Sequence, residues 1–270
     1  MGFPSCERGS IRITTAALCL DLLESPPVPL EASDMILIFL ITTLAATLQA
    51  AIGFGMALIA APLLLVLYPP LIPGPLMGAG LLLTGLVAYE ERSEIDFSGV
   101  KYAVIGRLLG TALAALFLTL ASTRVFNLSF GGLVFLGVML SWAGFHISPR
   151  PLSASLAGFL SGLMGTISSI GGPPMALLYQ HSGMHTLRAT LAAYFVLGTS
   201  ISLLALGAIG YYGPEEVRLT LLLTPAMLAG FLLAKLLEGR ISDGAIRPLI
   251  LSLSLLAGAF VIWQTLVGFS

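Results

Sequence analysis

The chain alternates long uncharged apolar runs with short polar interruptions. No Asp, Glu, Lys or Arg occurs between 35 and 89, and the same is true of 151–187, 189–214 and 248–270. A helix crosses the hydrocarbon of a bilayer with about 20 apolar residues, so the longer runs each hold more than one segment. Breakers and charges divide them into apolar helical segments near 35–52, 55–68, 76–90, 101–120, 126–146, 153–169, 173–182, 188–211, 216–236 and 245–267. Five segments lie on each side of 148-SPRP-151, whose prolines disfavour continuing helix and whose Arg150 marks a turn in water.

Two runs are broken from within. In 163-LMGTISSIGGPPMALLYQ-180 two glycines and two prolines interrupt an apolar stretch, and in 47-TLQAAIGFGMALIAAP-62 Gly53 and Gly55 do the same before Pro62. Matching the halves in order pairs Gly53 with Gly171, Gly110 with Gly230 and Trp142 with Trp263, at separations of 118, 120 and 121. The shared order of features, a glycine-broken helix, a long span, a charged loop, a glycine-bearing span and a tryptophan-ended span, predicts a duplication. The expected organisation is a tail over 1–34, a first transmembrane repeat over 35–147, a linker over 148–152 and a second repeat over 153–270.

Composition places this pattern in a membrane. Hydrophobic residues make up 57% of the chain and charged ones 9%, with mean hydropathy +1.01, beyond the usual range of a soluble domain. Net charge of −1 gives no footprint for nucleic acid. Cys6 and Cys19 both lie in the tail, so no thiolate metal site is available to the spans. The tail carries charges of both signs and the cluster Pro26, Pro27, Val28, Pro29. It reads as a disordered segment, as sequence ahead of a start at Met35, or as a signal peptide with 13-ITTAALCL-20 as its core.

Basic residues collect on the cytoplasmic side of membrane proteins. If each broken segment crosses once, the 12 basic residues divide 7 to 5 between the faces, which discriminates nothing. If each broken pair returns as a hairpin, 4 lie on the side of the N-terminus (Arg8, Arg12, Arg124, Arg218) and 8 opposite. The expected fold is therefore an all-α polytopic membrane protein of two inverted-topology repeats, about 8–10 transmembrane or half-membrane helices, with a glycine/proline-broken hairpin in each half. The loops 90–100, 148–151 and 238–243 would face the cytoplasm.

Inverted repeats with broken helices are the pattern of secondary transporters whose site lies at the midplane between the halves. In hydrocarbon, non-helical backbone survives only where protein buries it or a watery cavity bathes it. Gly53, Gly55, Gly171 and Gly172 permit such backbone, while Pro173 and Pro174 suit the first turn of a new half-helix. Half-helix N-termini favour an anion. Thr166, Ser168 and Ser169 add hydroxyls and Gln49 an amide. The predicted substrate site is Gln49, Gly53, Gly55, Thr166, Ser168, Ser169, Gly171, Gly172 and Pro173, and its ligand a small oxyanion. Gly110, Gly158, Gly162 and Gly230 read as helix-packing positions. Arg107, some six residues into its segment, is a counter-ion or, in the plainer reading, a snorkelling side chain near a helix end. Arg188 reads as a cytoplasmic anchor, and His146, His181 and His185 as solvated loop residues.

The segments 53-GFGMALIAAPLL-64 and 171-GGPPMALLY-179, with 106-GRLLGTALAALFL-118 and 226-AMLAGFLLAKLLEGRIS-242, resemble the TauE/SafE family of membrane permeases, the sulfite exporter family, over about residues 35–267. The resemblance implies a multi-pass carrier of the bacterial inner membrane, built of duplicated halves, that moves sulfite, sulfoacetate, thiosulfate or related sulfur-containing organic anions. The first glycine cluster of that family often has three successive glycines, where this chain has Gly53, Phe54, Gly55. Another carboxylate-type anion is the alternative cargo. An intramembrane hydrolase using Ser168 or Ser169 with His181 or His185 lacks the G-x-S-x-G frame, and a cation carrier lacks buried carboxylates in the spans. No enzyme activity, cofactor or metal is expected. The expected partners are the small anion and the lipid bilayer, with a homodimer allowed for and nucleic acid excluded.

Overall fold

A computed structural model describes residues 31–142, 147–237 and 243–267. The tail over 1–30 with Cys6 and Cys19, His146, and the loop over 238–242 lie outside the described residues. Ten helices are present among those described: α1 Ala32–Ile52, α2 Met56–Leu67, α3 Gly74–Glu90, α4 Phe97–Leu120, α5 Thr123–Trp142, α6 Pro151–Ser168, α7 Gly172–Tyr179, α8 Met184–Ala208, α9 Pro214–Leu236 and α10 Asp243–Val267. Each matches one expected segment. α1, α4, α5, α8 and α9 are long and apolar enough to cross a membrane. Leu108, Leu109, Leu113, Leu116 and Leu120 of α4 project outward, 47–74% exposed. Such a ridge of leucine suits lipid and would be costly against water.

The two breaks are alike in geometry. α1 ends at Ile52 and α6 at Ser168, and α2 begins at Met56 and α7 at Gly172, so the offset here is 116. Gly53 (φ 93°) and Ser169 (φ 64°) each directly follow the first helix of their break and are both left-handed, and Gly55 and Gly171 each directly precede the second helix.

Glycine packing sets the frame. A Cβ on Gly106 or Gly110 would lie 1.8 Å from Ser155 O or 2.1 Å from Phe159 O, and one on Gly158 would lie 1.9 Å from Ala103 O. The G-x-x-x-G pairs of α4 and α6 therefore press the two backbones together, the usual route to close packing where lipid supplies no hydrophobic drive. Gly230 of α9 meets Thr43 and Thr47 of α1 in the same manner. The packing roles expected for Gly110, Gly158 and Gly230 are observed.

Contacts at the helix ends define two faces. On one, Arg188 at the start of α8 pairs with Glu91 at the end of α3 at 3.1 Å, and Lys235 at the end of α9 pairs with Glu90. Asp96 caps α4 there, accepting the N–H groups of Ser98 and Gly99, and Tyr179 at the end of α7 donates its hydroxyl to the same carboxylate at 2.9 Å. On the other face Gly74 at the start of α3 packs on Tyr212 beyond the end of α8, and Thr220 of α9 donates to Pro75 O at 3.4 Å. Thus α3 and α8 run antiparallel. So do α5 and α10, since Gly131 meets Ile262 while Val134 meets Gly258. Ser155 near the start of α6 donates to Tyr102 O, and Tyr179 reaches Asp96, so α6 enters from the Glu91 face and α7 returns to it.

Candidate functional site

The two breaks frame a cavity. Its walls include Gln49, Phe54, Gly55 and the first turn of α2 (Met56, Ala57, Leu58), with Ser169, Gly171, Gly172 and Pro173 from the other break, and Arg107, Thr84 and Thr199 from the helices between. It encloses about 540 Å³ counting its mouth. Met56, Ala57 and Leu58 keep their N–H groups in the turn where a helix leaves them unpartnered. In α7, by contrast, two of the first three residues are Pro173 and Pro174 and donate nothing. The positive end of α2 is therefore the better furnished of the two helix starts.

Arg107 dominates the chemistry. It is 1% exposed. Its Nη1 donates to Ser161 Oγ at 3.1 Å and Tyr194 Oη at 3.4 Å, its Nη2 donates to Ser202 Oγ at 3.1 Å, and its Nε has no partner. The guanidinium lies 5.4 Å from the centroid of the Tyr194 ring. No carboxylate pairs with it among the described residues. Arginine cannot shed its charge in a protein, and an unpaired buried charge carries a penalty of several kcal/mol. The neutral hydroxyls around it return only part of that.

This overturns the snorkelling reading, for a reason of length. α4 begins at Phe97, earlier than the expected 101, because Asp96 caps it. Arg107 is then about 15 Å along the helix, near the middle of a core about 30 Å thick, where its side chain cannot reach an interface. Space for it comes from small residues: a Cβ on Gly198 would lie 2.4 Å from its Cδ and Nε, one on Gly165 3.2 Å from Nη2, and one on Gly171 3.2 Å from Nη1. Ser161, Tyr194, Gly198 and Ser202 escaped the sequence reading. The signal available was Arg107 itself, the one charged residue between Lys101 and Arg124.

Of the nine expected site residues, Gln49, Gly55, Ser169, Gly171, Gly172 and Pro173 line the cavity. Gly55, left-handed at φ 113°, has open space where a side chain would project. The other three lie behind it. A Cβ on Gly53 would come 2.9 Å from Arg188 Cα, so this glycine packs the break against α8. Thr166 joins Thr111 and Ser202 at 3.3 and 2.9 Å and belongs to the hydroxyl cluster under Arg107. Ser168, fully buried, donates to Met164 O at 2.8 Å. Ser169 spends its proton on Pro73 O at 3.1 Å while its left-handed backbone turns the chain into the cavity. Ser161 Oγ, which accepts from Arg107, donates to Gly171 O at 2.5 Å and so ties the arginine to the second break. Arg188, expected as an anchor, is 15% exposed at its side chain and is held by Glu91.

Ten apolar helices, five long enough to span, with broken helices around a buried cation, define a multi-pass membrane protein with an internal polar site. The family model for the sulfite exporter TauE/SafE matches residues 38–261, and the chain belongs to that family, a family of membrane transporters. Comparison with curated proteins gives no match, and neither does comparison with solved structures.

Proposed function

We propose that the chain is a secondary transporter that carries small oxyanions, sulfite or sulfur-containing organic anions, across the bacterial inner membrane by alternating access. The observation that carries this reading is Arg107: a fixed positive charge, buried, without a carboxylate, at the wall of a cavity that also receives the N-terminal turn of α2. A bound anion supplies the missing countercharge, with Gln49 and the Gly55 and Gly171 backbones completing its shell. Halves of inverted topology, 35–147 and 153–270 about the 148–152 linker, are supported by the antiparallel pairing of corresponding helices, α3 with α8 and α5 with α10. A two-fold axis in the membrane plane gives that relation, whereas one along the membrane normal would make the pairs parallel. Alternating access then consists of the two break tips exchanging exposure between the faces. The Glu91 face, rich in Lys and Arg, is cytoplasmic on the positive-inside rule. A hydrolytic role fits poorly, since Ser168 and Ser169 already donate to backbone carbonyls.

The test is uptake of labelled sulfite and of a small sulfonate by proteoliposomes holding the purified protein, with Arg107→Gln in parallel. Saturable uptake that Arg107→Gln removes at equal incorporation supports the reading. Absence of uptake with every anion, or equal uptake in the variant, overturns it.

A further inference from the structure

Pro62 sits inside α2, and a proline there gives no N–H to the residue four before it. The carbonyl left open is that of Leu58, in the turn that faces the arginine cavity. The first bond of the same helix is long as well, with Ile59 N–H reaching Gly55 O at 3.4 Å. The first turn of α2 is thus loosely held by its own helix, and a membrane interior has no water to satisfy an open carbonyl. The donor comes from 196 residues further along the chain: Ser254 of α10, fully buried, gives its hydroxyl proton to Leu58 O at 2.7 Å. The Leu58 side chain packs on α5, where a Cβ on Gly137 would lie 3.2 Å from its Cδ2. In α7 the prolines occupy the first turn, where no helical bond is lost, so the arrangement belongs to the first break.

We infer that Ser254 is a positioning residue of the anion site. By bonding the carbonyl that Pro62 opens, it fixes the angle at which the first turn of α2 presents the N–H groups of Met56, Ala57 and Leu58 to an anion beside Arg107. Helices bend at proline, so without this bond the turn is free to tilt about Pro62. A helix dipole acts on a charge only across its first turn, and a tilt there weakens its hold. Ser254 does not line the cavity and acts through Leu58, which does. This inference rests on the reading of the cavity as the anion's site and adds a residue that orients it.

The experiment is a double-mutant comparison of affinity for sulfite or butanesulfonate, read from the rise of the unfolding midpoint with anion concentration in a neutral detergent. The proteins are the unsubstituted chain, Ser254→Ala, Pro62→Ala and both changes together. Ser254→Ala should weaken binding about threefold to tenfold, the scale of one interhelical hydrogen bond in a membrane. Pro62→Ala restores the N–H that Leu58 O lacks, so in that background Ser254→Ala should change affinity by less than about twofold. A packing role alone would lower the midpoint of the anion-free protein and leave affinity as it was. Unchanged affinity in Ser254→Ala, or an equal loss in both backgrounds, overturns the inference. If Ser254→Ala fails to insert, Ser254→Cys, a weaker donor of similar size, takes its place with the same expectations. No rise with either anion in the unsubstituted protein removes the anion site itself, whereas a rise that Ser254→Ala leaves intact removes only the positioning role.

Discussion

Replacing Arg107 by methionine separates a binding role from a structural one. The structure states what the change removes: three hydrogen bonds from the guanidinium and a charge with no countercharge. It also states what survives. Ser161 keeps Gly171 O, Ser202 keeps Gly198 O and Tyr194 keeps Gly158 O as acceptors, so no hydroxyl loses a home for its proton. Net loss of about 1 kcal/mol per hydrogen bond is set against relief of a desolvation penalty of several kcal/mol. The anion-free variant should therefore be as stable as the unsubstituted protein, within about 1–2 kcal/mol, or more stable. Anion affinity should collapse. A guanidinium–anion pair about 4 Å apart at an effective dielectric of 20 is worth about 4 kcal/mol, or about a thousandfold in affinity. The assay is thermal unfolding in a neutral detergent with and without sulfite or butanesulfonate. At a hundredfold excess over Kd a ligand stabilises by about 2.7 kcal/mol, and this increment should vanish in Arg107→Met. A variant strongly destabilised without anion, or one that keeps the increment, would refute the reasoning and make Arg107 a structural residue.

Gly198→Ala should abolish uptake while the protein still inserts, because its methyl would lie 2.4 Å from Arg107 Cδ and Nε and force the guanidinium out of place; overpacking of this kind costs about 1–3 kcal/mol, and normal transport would contradict the positioning role. Gly55→Val should be more harmful than its open surroundings suggest, since φ 113° strains any β-branched residue, with uptake at matched incorporation as the readout. Burial alone would raise the Asp96 carboxyl, but hydrogen bonds from Ser98, Tyr179 and Gly99 hold it below the ordinary value of 3.8. Its folded-state value being depressed, its contribution is full above the unfolded value and lost as pH falls through the folded one; Asp96→Ala should therefore cost about 1 kcal/mol of cap stability at pH 7, with the gap to the unsubstituted protein closing only below about pH 4 in unfolding scans. Single cysteines at Ser93 and Ser148 should resist an impermeant thiol reagent applied to intact cells, whereas one at Ser122 should react, and the reverse pattern would invert the assigned orientation.

The ten segments could be located from sequence because lipid imposes a one-dimensional rule: apolar length, ended by proline, glycine or charge. The two breaks were legible for the same reason, since glycine and proline inside an apolar run contradict a continuous helix wherever the chain later goes. Gln49, Gly55, Ser169, Gly171, Gly172 and Pro173 reached the cavity because they sit at the breaks themselves. Gly53, Thr166 and Ser168 share those stretches yet face away, and only the turn of the backbone decides that. Gly53 and Ser169 hold the same left-handed conformation with different side chains, a likeness that the letters do not show. Arg107 was visible as a letter but not as a site: its depth depends on where Asp96 starts α4, and its room on Gly198, 91 residues further along. Sequence by itself determined which segments enter the membrane and where they break, because transfer to lipid is a property of each segment alone. The close approach of α4 to α6 and α8, which buries a guanidinium among serines and glycines without a carboxylate, is a relation between distant segments, and only the tertiary structure decided it.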